Sequence, residues 1–90
     1  MVSNEVYRVY SAMRRGEMSI DEVYNLAKDA AVSGNVALVD YLSNIIYSRG
    51  DEKIKINYSK LLYKMGFGSY VPFPYLMKLK NELGKDVFDI

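Results

Sequence analysis

Hydrophobic residues recur every three or four positions along most of this 90-residue chain, the spacing that gathers them on one face of an α-helix. Glycines and prolines divide the pattern into helix-sized segments, roughly 3–15, 19–33, 35–49, 58–65 and 74–83. Residues that cap helices begin the first three segments, and a glycine, which closes helices in the left-handed conformation, follows every segment. The pattern therefore predicts a mainly α fold, a compact bundle of about five short helices.

The second and third segments predict a helical hairpin. Ser19 and Glu22 have the spacing of a capping box, which marks the start of the second helix. Only Gly34 and Asn35 separate the two helices, and so short a loop requires them to pack antiparallel. The third segment has the most apolar face of the chain, and we expect it at the centre of the fold. That face consists of Leu38, Val39, Leu42, Ile45 and Ile46.

Residues 53–58, with the sequence KIKINY, admit two interpretations. Polar and apolar residues alternate there with period two, which indicates a short strand followed by a helix that Asn57 caps. Such a strand can pair with residues 86–90 in a small two-stranded ribbon. Alternatively, Asp51 caps one long helix, whose apolar face contains Ile54, Tyr58, Leu61 and Met65. The alternation favours the strand slightly, and the sequence leaves both interpretations open.

Length and charge limit the partners that the chain can have. Ninety residues form one domain, in which residues 1–50 are a helical scaffold and residues 51–90 a second unit. Twelve basic and eleven acidic residues give a net charge of +1, so binding to nucleic acid requires a local basic patch. No apolar run approaches the roughly 18 residues that span a bilayer, and the N-terminus lacks a secretory signal pattern. We therefore expect a cytoplasmic protein without membrane contact.

The composition argues against catalysis. The chain has no cysteine and no histidine, which excludes thiolate chemistry and removes both the commonest metal ligand and the usual base at neutral pH. Gly66 and Gly68 lack the Lys-Ser or Lys-Thr pair that completes a phosphate-binding P-loop. The acidic pairs at 21–22 and 51–52 lie at predicted helix starts, where capping and the helix dipole explain them. We therefore expect no enzyme activity, no cofactor and no metal.

Residues 61–84, LLYKMGFGSYVPFPYLMKLKNELG, contain two short apolar helices around a proline-containing turn. The first helix ends at Gly66, and Leu76 and Leu79 face inward from the second. In order and spacing this segment resembles the helix-turn-helix family, and short strands before and after it would match those of winged members. The resemblance implies a non-catalytic, regulatory DNA-binding protein that can form a homodimer.

The same resemblance implies which residues contact DNA. The outer face of the second helix would enter the major groove, while phosphates would be held from the turn, the helix flank and the preceding helix. The implied base-reading residues are Tyr75, Lys78 and Asn81. The implied phosphate-binding residues are Lys60, Lys64, Ser69, Tyr70 and Lys80.

Nine tyrosines favour an alternative function. So many cannot all be buried in a small core, and exposed tyrosines are favoured at protein interfaces because they supply large contact area at small entropic cost. On this hypothesis the chain is a helical protein–protein interaction module, or an accessory subunit of a larger assembly such as one that processes nucleic acids. The absence of glutamine and cysteine is also typical of thermophilic sources, although five methionines point the other way.

Overall fold

The computed structural model describes residues 4–83, apart from the side chains of Glu5, Glu82 and Leu83. Within this range the fold is mainly α, with five helices, one 3-10 turn at Gly68–Tyr70 and no strand. The helices are α1 (Asn4–Arg14), α2 (Ile20–Ser33), α3 (Val36–Arg49), α4 (Glu52–Lys64) and α5 (Phe73–Leu83). The prediction of a mainly α fold with about five short helices is confirmed.

The chain divides between Gly50 and Asp51 into two compact units. The first unit contains α1, α2 and α3, and the second contains α4, the 3-10 turn and α5.

Caps at both ends of α2 and at the start of α3 define the α2–α3 hairpin of the first unit. The Ser19 hydroxyl accepts a hydrogen bond from the Glu22 backbone N–H, and the Glu22 carboxylate accepts one from the Ser19 N–H, each at 3.2 Å. This is the predicted capping box. Gly34 closes α2 at φ 75°, where an L-residue would be strained, and the Asn35 N–H donates to the Ala30 carbonyl at 2.9 Å. Asn35 then caps α3 by accepting from the Leu38 N–H at 3.3 Å.

The core of the first unit forms around α3, which contacts both α1 and α2. Small side chains on α2 let α3 approach closely, and α1 adds Val9 to the same core. The buried apolar residues of α2 and α3 are Val23, Ala27, Ala30, Ala31, Leu38, Val39, Leu42 and Ile46. Ile45, also part of the predicted apolar face, is only half-buried. Within the first unit, α3 supplies the centre of the core.

The strand predicted at residues 53–57 is wrong, because α4 begins at Glu52. The Asp51 carboxylate accepts a 2.8 Å hydrogen bond from the Ile54 N–H and caps the helix. Asn57, the predicted cap, is therefore a solvent-exposed residue in the middle of α4. The alternating isoleucines are only half-buried, whereas the fully buried side chains of Tyr58 and Leu62, like that of Ser59, lie together on one side of the helix. The predicted ribbon therefore loses its first strand, and its other half, residues 86–90, lies outside the described residues.

The connection from α4 to α5 is compact. Gly66 closes α4 at φ 84°, and the Phe67 N–H donates to the Leu62 carbonyl at 2.7 Å. After the 3-10 turn, the Pro72 carbonyl accepts hydrogen bonds from the first turn of α5, which begins at Phe73. Pro74 is thus the second residue of α5, whereas the sequence pattern predicted it to be the first. Leu79 of α5 is fully buried, and its helix packs against α4.

Candidate nucleic-acid interface in the second unit

The eight residues that the sequence places at a DNA interface lie on three elements of the second unit. Two are on α4, two are in the 3-10 turn and four are on α5. The exposed ones are Lys64, Ser69, Lys78, Lys80 and Asn81, and the half-buried ones are Lys60, Tyr70 and Tyr75. These residues differ in their hydrogen-bond partners and in the side of the helix on which they lie.

Glu52 of α4 binds two of the three predicted base-reading residues. Its Oε1 accepts a 2.6 Å hydrogen bond from the Tyr75 hydroxyl, and its Oε2 forms a 2.6 Å ion pair with the Lys78 ammonium group. The Lys78 Nζ also lies 5.0 Å from the centre of the Tyr75 ring, within the range of a cation–π contact. Tyr75 and Lys78 therefore point towards the start of α4 rather than straight outward from α5.

This cluster shifts the pKa values of two of its members. The hydrogen bond from Lys78, followed by the one from Tyr75, lowers the pKa of the Glu52 carboxyl below its usual value. The hydrogen bond to Glu52 raises the pKa of Tyr75 to about 12. At neutral pH Glu52 is thus a carboxylate and Tyr75 a protonated phenol. Because the Glu52 and Lys78 side chains are both largely exposed, solvent weakens their attraction.

The outward face of α5 is mostly apolar. At about 100° per residue, Met77 and Asn81 lie opposite the buried Leu79, and Phe73 and Pro74 flank them. Phe73 is 66% exposed and Met77 is 40% exposed. Asn81 is the one predicted base-reading residue on this outermost face, while Lys78 and Lys80 lie at its two edges.

A basic face on α4 is the second feature of this unit. Lys53, Asn57, Lys60 and Lys64 follow each other at intervals of four, three and four residues, which aligns them on one side of the helix. We call these four residues the α4 basic face. Lys60 is half-buried, and the other three are exposed. The face is about 16 Å long, given a rise of about 1.5 Å per residue.

The α4 basic face has no acidic member. Glu52 is the one acidic residue within α4, and its carboxylate is bonded to α5. The predicted DNA contacts include Lys60 and Lys64 but not Lys53 and Asn57, because the alternating pattern of residues 53–57 predicts a strand. The signal that could have found them is the helical spacing of the four residues, once Asp51 is recognised as a cap.

The tyrosines of the alternative hypothesis have varied surroundings. Tyr58 is fully buried, whereas Tyr7 and Tyr10 are 64% and 44% exposed. The other six tyrosines are half-buried, among them Tyr41 and Tyr47. The two most exposed rings both belong to α1 of the first unit.

Comparison with protein-family models, curated proteins and solved structures found no match to this chain. Within residues 4–83, no helix is both long enough and apolar enough to cross a bilayer. Among the side chains that the structure describes, acidic residues do not gather in groups of three or more that could hold a metal ion.

Proposed function

We propose that this chain is a non-catalytic DNA-binding protein of helix-turn-helix type, in which α4 supplies the main contacts to phosphates. The observation that carries the proposal is the α4 basic face, with three lysines and an asparagine on one side of a single helix. A net charge of +1 requires a concentrated basic surface if the protein is to bind DNA, and this face provides one.

The dimensions of the α4 basic face suit a DNA backbone. Phosphates follow one another along each strand at about 3.4 Å of axial rise, so a face about 16 Å long extends past several of them. Lysine ammonium groups and asparagine amides are both common donors to phosphate oxygens. Such contacts fix the position of a protein on the duplex and carry no sequence information, so this face would supply affinity rather than specificity.

Base contacts, on this proposal, come from the outward face of α5. An asparagine such as Asn81 can pair with the N6 and N7 edge of adenine, and apolar side chains such as Phe73 can contact the methyl group of thymine. Tyr75 and Lys78 are instead bonded to Glu52, so their first role is to hold the start of α5 against α4. The proposed division is therefore α4 for phosphates and α5 for bases.

Fluorescence anisotropy with a labelled random duplex, titrated at low and at physiological salt, tests the proposal. We expect binding at low salt that weakens steeply as salt rises, because lysine contacts release counterions from DNA. Replacing Lys64 by glutamine should weaken binding and reduce the slope of log K against log salt by about 0.9. Lys28→Gln is the matched control, since it removes the same charge from an exposed position on α2 of the first unit. No binding at low salt, or equal effects of the two variants, would contradict the proposal.

A protein-binding module is the second candidate function, and the exposed apolar face of α5 favours it. Phe73, Pro74 and Met77 are exposed neighbours on that face, and aromatic residues and methionine are enriched at the cores of protein interfaces. An apolar interface changes little with salt, unlike a phosphate interface. Binding to a protein partner that persists at high salt and is lost in Phe73→Ser, with Val32→Ser as the exposed apolar control, would favour this candidate.

A further inference from the structure

A small surface pocket lies between α1 and α3 in the first unit. Its volume is about 120 Å³, and it is lined by Tyr10, Met13, Arg14, Tyr41, Ile45 and Arg49. The two apolar side chains, Met13 and Ile45, are half-buried, whereas both arginines are exposed. The pocket therefore combines two guanidinium groups and two phenol rings with apolar side chains, and its lining includes no carboxylate.

The polar groups of the pocket are near one another. The Arg14 Nη1 donates a 3.3 Å hydrogen bond to the Tyr10 hydroxyl, and the guanidinium carbon lies 5.8 Å from the centre of the Tyr10 ring. Tyr41 is close enough to Tyr10 and Arg49 for both to influence its ionisation. Burial is the larger effect and raises the pKa of Tyr41, so its hydroxyl stays protonated at neutral pH and can donate a hydrogen bond.

The helix dipole alone does not account for this arrangement. Arg14 and Arg49 lie in the last turns of α1 and α3, where positive charge is favoured. The dipole explains one arginine at each helix end, but not why the two helices bring both arginines and two tyrosines to a common concavity. Arg15, beside this group in sequence, instead pairs with Glu17 at 3.0 Å. Arg14 and Arg49 thus form a local surplus of positive charge in the pocket lining.

We propose that this pocket binds a single phosphate group. The planar guanidinium fork of arginine matches phosphate oxygens in a bidentate geometry, and tyrosine hydroxyls can add further donors. Two positive charges complement a phosphate monoester, which carries about −1.5 to −2 at neutral pH, better than the single charge of a carboxylate. The volume is well below the roughly 300 Å³ of a pocket that encloses a whole small molecule, so the pocket holds one group of the ligand.

This proposal goes beyond DNA binding by the second unit and does not depend on it. The pocket is built entirely from α1 and α3, and none of its residues belongs to the α4 basic face. The phosphate group can come from inorganic phosphate, from a small phosphorylated molecule or from the 5′ end of a nucleic acid. These sources share one chemistry and can be distinguished by experiment.

Nuclear magnetic resonance titration of the full chain with inorganic phosphate, at constant ionic strength maintained with chloride, tests the site. We expect saturable shifts of the Arg14 and Arg49 side-chain N–H signals, and weaker shifts with acetate at the same concentration. Arg49→Gln should raise the dissociation constant about tenfold, the loss expected for one charge-assisted hydrogen bond. Arg8→Gln is the matched control, because it removes an exposed arginine of α1 that lies outside the pocket lining.

Two further variants keep the result clear if Arg49→Gln disturbs the fold. Arg49→Lys keeps the charge but loses the guanidinium fork, and Tyr41→Phe removes only a hydroxyl, so both should weaken phosphate binding while the circular dichroism spectrum is unchanged. Absence of saturable shifts in the wild-type chain would overturn the proposal. Equal phosphate affinity in Arg49→Gln, Arg8→Gln and the wild type would overturn it as well.

The source of the phosphate group is then identified with two short single-stranded oligonucleotides of one sequence, with and without a 5′-phosphate. Tighter binding of the phosphorylated strand, lost in Arg49→Gln but not in Lys64→Gln, would assign the pocket to nucleic-acid ends. Equal binding of the two strands, together with saturable binding of inorganic phosphate, would assign it to inorganic phosphate or a small phosphorylated molecule rather than to nucleic-acid ends. Failure of DNA binding by the α4 basic face would leave either assignment intact.

Discussion

Glu52 at the first position of α4 and Tyr75 in the first turn of α5 share a 2.6 Å hydrogen bond, although 23 positions separate them in the sequence. Lys78, one turn further along α5, binds the other oxygen of the same carboxylate. A single acidic side chain thus joins the beginnings of the two helices of the second unit. The two bonds also orient Tyr75 and Lys78, both predicted base-reading residues, towards the start of α4.

Replacing Glu52 by glutamine should lower the pKa of Tyr75 from about 12 towards its ordinary value of 10.0. The carboxylate raises that pKa because it accepts a hydrogen bond from the protonated phenol and repels the phenolate, and a neutral amide does neither strongly. Titration of carbon-13-labelled tyrosine by nuclear magnetic resonance, with Tyr75→Phe to assign the signal, measures the change. A Tyr75 pKa that stays near 12 in Glu52→Gln would show that the bond is not its cause.

The same bonds predict how stability depends on pH. The folded chain holds the Tyr75 proton more tightly than the unfolded chain, so this bond stabilises the fold below pH 10.0, and that contribution is lost as pH rises towards about 12. The Glu52 pKa is lowered from 4.5, so its bonds stabilise the fold above that pH and are lost as pH falls through the lowered value. The difference in melting temperature between wild type and Glu52→Gln should therefore be largest between these limits. A difference that does not vary with pH would contradict this account.

The cap of α4 can be tested by two substitutions at one position. Asp51→Ala removes the acceptor of the Ile54 N–H and should lower the free energy of unfolding by about 1 kcal/mol, within a range of roughly 0.5–2 kcal/mol. Asp51→Asn is the control, because asparagine caps helices about as well as aspartate and changes only the charge. Urea denaturation measures both. Equal losses in the two variants would assign the effect to charge rather than to the cap.

Sequence patterns predicted the helices whose ends are determined by neighbouring residues. They predicted the wrong structure where two patterns in one segment indicated different elements. The capping box of Ser19 and Glu22 and the turn at Gly34 are determined by neighbouring residues, so the α2–α3 hairpin could be predicted. At residues 53–57, the alternation of lysine and isoleucine is typical of a strand. The segment is helical instead, because a helix buries Tyr58 and Leu62 on one face. The Glu52 bonds to Tyr75 and Lys78 could not be predicted, because they depend on how α5 packs against α4.

Adjacent leucines on α4 should differ in their contribution to stability. Leu62 is fully buried, so Leu62→Ala should lower the free energy of unfolding by about 2–5 kcal/mol through lost burial and the cavity left behind. Leu61 is half-buried and can still reach solvent, so Leu61→Ala removes the same atoms at a smaller loss. Chemical denaturation of both variants gives the comparison. Equal losses would mean that the two side chains are buried to the same extent in solution.

DNA binding should become stronger when Glu52 is neutralised. Glu52→Gln removes a negative charge near the α4 basic face and releases Lys78 from its ion pair, which makes its ammonium group available to a phosphate. We expect tighter binding of a random duplex at low salt, and a slope of log K against log salt that steepens by about 0.9 if Lys78 gains one phosphate contact.

Asp40→Asn, on α3 of the first unit, is the control for the change in net charge, since Asp40 is also exposed. Lys78→Gln in the Glu52→Gln background should return the salt slope to its original value, because it removes the released cation. If Glu52→Gln and Asp40→Asn strengthen binding equally, the effect is one of net charge and Lys78 does not reach the backbone. If Glu52→Gln alone strengthens binding and Lys78→Gln reverses it, Glu52 restrains DNA binding by holding Lys78 against α4.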